Sequence, residues 1–138
     1  MSRIAFIAAA PLLLAACASY PSGGSSASDT ASFDQVETVE IALTNFAFGP
    51  DALELEAGKA YALQFTNEGF PHDYTAPEFF AAAQIAPEDA GSVVDGVVDV
   101  PPGGTVTVRL IPVAGTYEVL CVKPGHADLG MKGSITVS

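Results

Sequence analysis

Four side chains of this 138-residue sequence have the types and spacing to hold a metal ion: His72, Cys121, His126 and Met131. Three of them fall in one stretch as C-x4-H-x4-M, from Cys121 through His126 to Met131. The chain has two His, two Cys and two Met in all, and the remaining Cys and Met are Cys17 and the initiating Met1. Two imidazoles and a thiolate in a trigonal plane, with a weak axial thioether, form the donor set of type 1 copper. The sulfur ligands suit Cu(I) while the nitrogens accommodate Cu(II). A site whose positions are all filled by protein leaves no place for a substrate, so hydrolysis and oxygen chemistry are disfavoured and transfer of one electron remains.

Each residue alone has a plainer reading. Cys121 would be a buried inert thiol, His126 a loop histidine, Met131 a core filler and His72 a surface residue. An unpaired thiol is nevertheless a liability in an oxidising compartment, and metal ligation protects it. Taken together, the four residues point to one copper ion per chain.

The elements that must position these groups read as strands. Val39, Ile41 and Leu43 alternate with polar or small residues, as do Leu53 and Leu55, and then Tyr61, Leu63 and Phe65. Further strands fit Val93 to Val100, Thr105 to Leu110, Thr116 to Cys121 and Ser134 to Val137. Ala57-Gly58-Lys59, Asn67-Glu68-Gly69, Pro101 to Gly104 and Pro112 to Gly115 supply the turns. Only Ala76 to Ile85 suits a short helix. Seven or eight short strands with frequent turn signals imply an all-β, antiparallel β-sandwich or barrel. Cys121 shares strand parity with Tyr117 and Val119, which aims its sulfur inward. Pro124-Gly125 turns the loop so that His126 returns beside Cys121, and Gly130 gives Met131 room to approach axially. His72, after Pro71 at the end of a strand, is expected to meet this loop at the same pole.

The first sixteen residues have the charge and short apolar run of a secretory signal, with Arg3 before Ile4 to Ala16. Leu14-Ala15-Ala16-Cys17 resembles a bacterial lipobox, which implies cleavage before Cys17 and lipid attachment to its sulfur. Ala18 rather than Asp after that cysteine implies sorting to the outer membrane, facing the periplasm. Residues 17–37, rich in Ser, Gly, Ala, Pro and Asp, are expected to be a tether, and 38–138 the copper-binding domain. The formal net charge of -11 makes nucleic acid an unsuitable partner and favours encounter with basic surfaces.

From about Val39 to Val137 the chain resembles the cupredoxin family, the group of plastocyanin, azurin, auracyanin and plantacyanin. The most specific stretch runs from Gly115 to His126 and on through Gly130-Met131-Lys132-Gly133, with ligand spacing nearer auracyanin and plantacyanin than plastocyanin. Phe46-Ala47-Phe48, Ala57-Gly58 and Asn67 add to the likeness. The resemblance implies a Greek-key β-sandwich with copper near one pole, held by His72, Cys121, His126 and Met131. It also implies an exposed His126 edge in an apolar docking patch, with Lys123 and Lys132 nearby, and a monomeric, non-enzymatic carrier serving redox proteins such as cytochromes or a copper reductase. One departure is Asp73, where plastocyanin and azurin have Asn after the first His. An ionised carboxylate accepts hydrogen bonds but cannot donate them, and beside the metal it would favour Cu(II) and lower the reduction potential.

Copper delivery in metal homeostasis is the main competing role, although delivery sites more often use open Met-rich or His-rich clusters. A multicopper oxidase or nitrite reductase needs more than two histidines. A metal-free interaction module predicts no tight copper binding.

Overall fold

The computed structural model describes residues 32–138. The expected signal segment, Cys17 and nearly all of the expected tether lie outside the described residues. Two five-stranded sheets face each other across one apolar core, the β-sandwich that the alternating strands imply. The strands, in chain order, are β1 (Glu37–Thr44), β2 (Ala47–Gly49), β3 (Ala52–Leu55), β4 (Tyr61–Asn67), β5 (His72–Thr75), β6 (Gln84–Ile85), β7 (Val97–Val100), β8 (Thr105–Ile111), β9 (Gly115–Leu120) and β10 (Lys132–Val137). The first sheet runs β2-β1-β4-β8-β6 and the second β3-β10-β9-β5-β7.

Most pairings are antiparallel, but β1 with β4 and β3 with β10 are parallel. The reason is the path of the chain. After the β1–β2 hairpin it crosses to the second sheet as β3, then returns as β4 beside β1 in the same direction, with Ile41 opposite Phe65. Alternation along β1 and β4 sends Ile41, Leu43, Leu63 and Phe65 into the core, where each is at most 1% exposed. Leu53, Val108, Leu110, Val119 and Ile135 join them from the other strands.

Ten strands form among the described residues instead of seven or eight. β2 and β6 are too short to show a period, and β5 shows none because all four of its residues are buried. His72 therefore opens a strand of its own rather than closing the preceding one. Val93 to Val100 is not one strand. A 3-10 turn over Ala90–Ser92 leads to a reversal at Asp95-Gly96, and only Val97–Val100 enters the sheet. The helix α1 (Pro77–Ala82) is shorter than the expected Ala76 to Ile85, because Gln84–Ile85 pairs as β6; it begins on Pro77 and packs Phe79 and Phe80 inward. No helix among the described residues is long and apolar enough to cross a membrane.

Candidate metal centre

His72 and Cys121 come from neighbouring strands of the second sheet. Thr75 in β5 pairs with Leu120 at the end of β9, which brings the start of one strand and the exit of the other to one pole. Parity holds as expected: Val119 and Cys121 are buried, at 1% and 0% exposure, while Leu120 between them faces outward.

Beyond Cys121 the loop closes on itself through its own backbone. The His126 amide donates to Lys123 O at 3.1 Å, with Pro124 and Gly125 at the corner. Gly125 has φ +80°, as the third position of a type II turn requires. The Met131 amide then donates to His126 O at 3.0 Å, and the Cys121 amide to Met131 O at 3.1 Å. Those two bonds fix the three loop residues relative to one another, and Met131 is completely buried.

The donor atoms of His72, Cys121 and His126 all lie within 4.8 Å of one another. His72 Nδ1 is 3.1 Å from His126 Nδ1, and Cys121 Sγ is 3.5 Å from His126 Nδ1. Burial, and to a lesser degree the neighbouring His126, lowers the His72 pKa, which favours the neutral imidazole that a metal needs. Burial raises the Cys121 thiol, opposed by hydrogen bonds from the backbone N–H groups of Asp73 and Lys123 that would stabilise a thiolate. Cys121 has no disulfide partner among the described residues.

Side chains around the donors hold them in place. The acceptor Asn45 Oδ1 sits 3.4 Å from His72 Nε2, so the ring proton belongs on Nε2 and the Nδ1 lone pair faces His126. Phe46 lies in the same two-residue turn between β1 and β2, at φ +69°, and its ring meets His126 edge-on with centroids 5.2 Å apart. Asn67 anchors the loop before His72. It donates to the carbonyls of Phe70 and Val100 and accepts from the Gly69 amide, so the buried amide is fully used. Gly69 leaves room for the Asn45 amide, since a Cβ there would push that side chain away from His72.

Lys123, expected near the docking patch, bonds Asp99 through its Nζ at 2.8 Å and stands 3.7 Å from Asp73. The Asp73 carboxylate, where plastocyanin and azurin have Asn, therefore has a cation facing it. Asp73 Oδ1 also accepts from the Val122 amide at 2.9 Å, tying the His72 strand to the Cys121 loop.

A family model for copper-binding proteins of the plastocyanin/azurin family matches residues 35–138. The chain belongs to that family. Within this cupredoxin group it is 36% identical over 94 residues to rusticyanin of Acidithiobacillus ferrooxidans, covering 62% of this chain and 59% of that protein. It is 31% identical over 124 residues to auracyanin-B of Chloroflexus aurantiacus, covering 74% of this chain and 52% of the other. The chain thus spans roughly half to three-fifths of these relatives' length. Among solved structures, auracyanin of Roseiflexus castenholzii superposes with TM-score 0.55 at 24% identity, over 73% of this chain and 96% of that one. A multicopper oxidase of Aquifex aeolicus gives 0.60 at 17% identity, but only 30% of that larger chain is covered. At such identities the two superpositions establish the fold. The donor set fits copper: two facing imidazoles, a buried thiol with no disulfide among the described residues, and a buried thioether in the same closed loop are arranged as a type 1 site.

Proposed function

We propose that this protein is a single-electron carrier using one type 1 copper ion, held by His72, Cys121, His126 and Met131. The observation that carries this reading is the cluster of three donor side chains, two of them buried and His126 half-exposed, on the loop that also supplies the buried Met131. Copper supplies a one-electron couple when bound. The chain's part is to keep the donors fixed in both oxidation states, and the backbone bonds among Cys121, His126 and Met131 do so. His126 is the half-exposed member of the set, with Leu129 exposed in the same loop, which supports exchange of electrons at that edge rather than through the body of the sandwich.

The likeness to auracyanin and rusticyanin supports a carrier rather than an enzyme. Within this reading the lipobox at Cys17 anchors the protein to the outer membrane facing the periplasm, and the acidic chain meets redox proteins that present basic surfaces. Stopped-flow mixing of copper-loaded protein with a small-molecule reductant and oxidant tests the role. Rapid, reversible cycling with copper retained is expected. Loss of the metal to a chelator or acceptor protein on each reduction would instead indicate delivery. Mass spectrometry of the expressed full chain tests the anchor: cleavage before Cys17 with a diacylglyceryl group on its sulfur is expected, and an unmodified Cys17 thiol would contradict it.

A further inference from the structure

The outer face of β5 carries an arrangement that the donor set does not explain. His72 and Tyr74 point into the sandwich, so Asp73 and Thr75 point out of it, yet Asp73 is only 1% exposed because the Cys121 loop lies across it. Asp73 Oδ1 is satisfied by Val122 N at 2.9 Å and Thr75 Oγ1 at 2.8 Å. Asp73 Oδ2 is buried and has no hydrogen-bond partner among the described residues. Directly opposite in the register stands Asp99 of β7, a second carboxylate on the same face. Like charges facing each other across a strand pair destabilise it, and a buried carboxylate without compensation costs far more than an exposed one. The cation at this place is Lys123, two residues beyond Cys121, which bonds Asp99 and lies 3.7 Å from the unpartnered Asp73 oxygen.

We propose that Lys123 is a positioning residue of the copper site, an ionic clip that neutralises buried Asp73 and so holds the Cys121 loop down on the His72 strand. An amide at position 73 would have no need of it. The Asp73 carboxylate does need it, and the lysine comes from the same loop whose Val122 amide already binds that carboxylate. The clip therefore acts on both ligand-bearing segments at once. Without its positive charge two effects follow. The copper-free fold keeps an uncompensated buried carboxylate, and a net negative charge one residue from His72 stabilises Cu(II) over Cu(I).

This inference rests on the copper reading for its redox arm alone; its stability arm uses copper-free protein. The experiment compares Lys123→Met, Lys123→Arg, Asp99→Asn, Asp73→Asn and the Lys123→Met/Asp73→Asn double variant. Thermal melting of the copper-free chains is one readout, and the reduction potential of the copper-loaded chains is the other. Lys123→Met is expected to melt lower by roughly 5 °C or more and to raise the preference for Cu(II) over Cu(I) about tenfold, a fall in potential. Lys123→Arg should restore both. The double variant should match Asp73→Asn alone, because a neutral amide leaves nothing to compensate. Asp99→Asn should move both readouts little, since the Asp73 contact remains. If Lys123→Met does not fold, folding of the double variant carries the same meaning. The proposal is overturned if Lys123→Met and Asp99→Asn shift the readouts equally, which would mark an ordinary surface ion pair, or if Asp73→Asn fails to rescue Lys123→Met. Absence of a blue copper band in the unaltered protein would defeat the copper reading while leaving the melting comparison intact.

Discussion

Asn45 Oδ1 accepts the Phe70 amide at 3.1 Å and faces His72 Nε2 at 3.4 Å, so one exposed turn residue fixes both the loop before a ligand and the tautomer of that ligand. Accepting a backbone N–H settles which end of the amide is oxygen, and the oxygen in turn puts the imidazole proton on Nε2. Outer partners of this kind typically change metal affinity by about 10–100-fold. Asn45→Ala is expected to weaken copper binding in that range, read by competition with a chelator of known affinity. Circular dichroism should show the fold retained, because the residue is exposed.

Met131 separates packing from coordination. Its side chain is fully buried, so Met131→Ala should destabilise the fold by about 2–5 kcal/mol through the cavity it leaves. Met131→Leu conserves volume and should cost less than about 1.5 kcal/mol. Without the thioether, however, Met131→Leu should hold copper less tightly than the unaltered protein, as a chelator competition would show. Unchanged affinity would mean that Met131 only fills space.

His72 makes stability of the copper-free protein depend on pH. Burial holds its folded pKa below the ordinary histidine value of 6.5, so the unfolded chain takes up the proton first. Stability contributed by the neutral ring is complete above 6.5 and is lost as pH falls through that value toward the folded pKa. Chemical denaturation of copper-free protein is expected to show midpoints falling as pH drops below this point. The drop should be smaller in His72→Gln, and equal slopes in both proteins would contradict the assignment.

Away from the metal, Asp89 pins the loop after β6 to β8. Its Oδ2 accepts from Arg109 Nε at 2.7 Å and the Arg109 amide at 2.9 Å, and Oδ1 accepts from Nη2 at 3.1 Å. The hydrogen-bonded guanidinium holds the Asp89 carboxyl below its ordinary 3.8, with burial opposing and the backbone N–H assisting. A depressed carboxyl stabilises the fold above its unfolded pKa and loses that contribution as pH falls through the folded one. Asp89→Asn should therefore melt below the unaltered protein near neutral pH, with the gap closing as the pH drops below 3.8. Melting curves across that range check it.

Much of the site was legible because it is local. Cys121, His126 and Met131 sit within eleven residues, the inward aim of Cys121 follows from the parity of β9, and the Lys123-Pro124-Gly125-His126 corner follows from turn chemistry. What was not legible depends on contacts between segments distant in sequence. Asn45 and Phe46 reach the histidines only because parallel pairing of β1 with β4 sets their turn beside the loop before β5. Nothing near Asn45 announces this. The ion pairs of Lys123 with Asp73 and Asp99 could not be seen either, because those partners lie on two strands whose pairing the sequence does not specify. The strand at His72 was hidden for a different reason: with the sheet on one side and the Cys121 loop on the other, all four β5 residues are buried and the polar–apolar alternation disappears.

Titration of the copper-free domain with Cu(II), followed by visible absorption, tests the central claim most directly. Type 1 ligation through Cys121 predicts an intense blue thiolate-to-copper band that saturates at one copper per chain and is absent from Cys121→Ser. A protein that stays colourless, or a band that survives in Cys121→Ser, would contradict the site built from His72, Cys121, His126 and Met131.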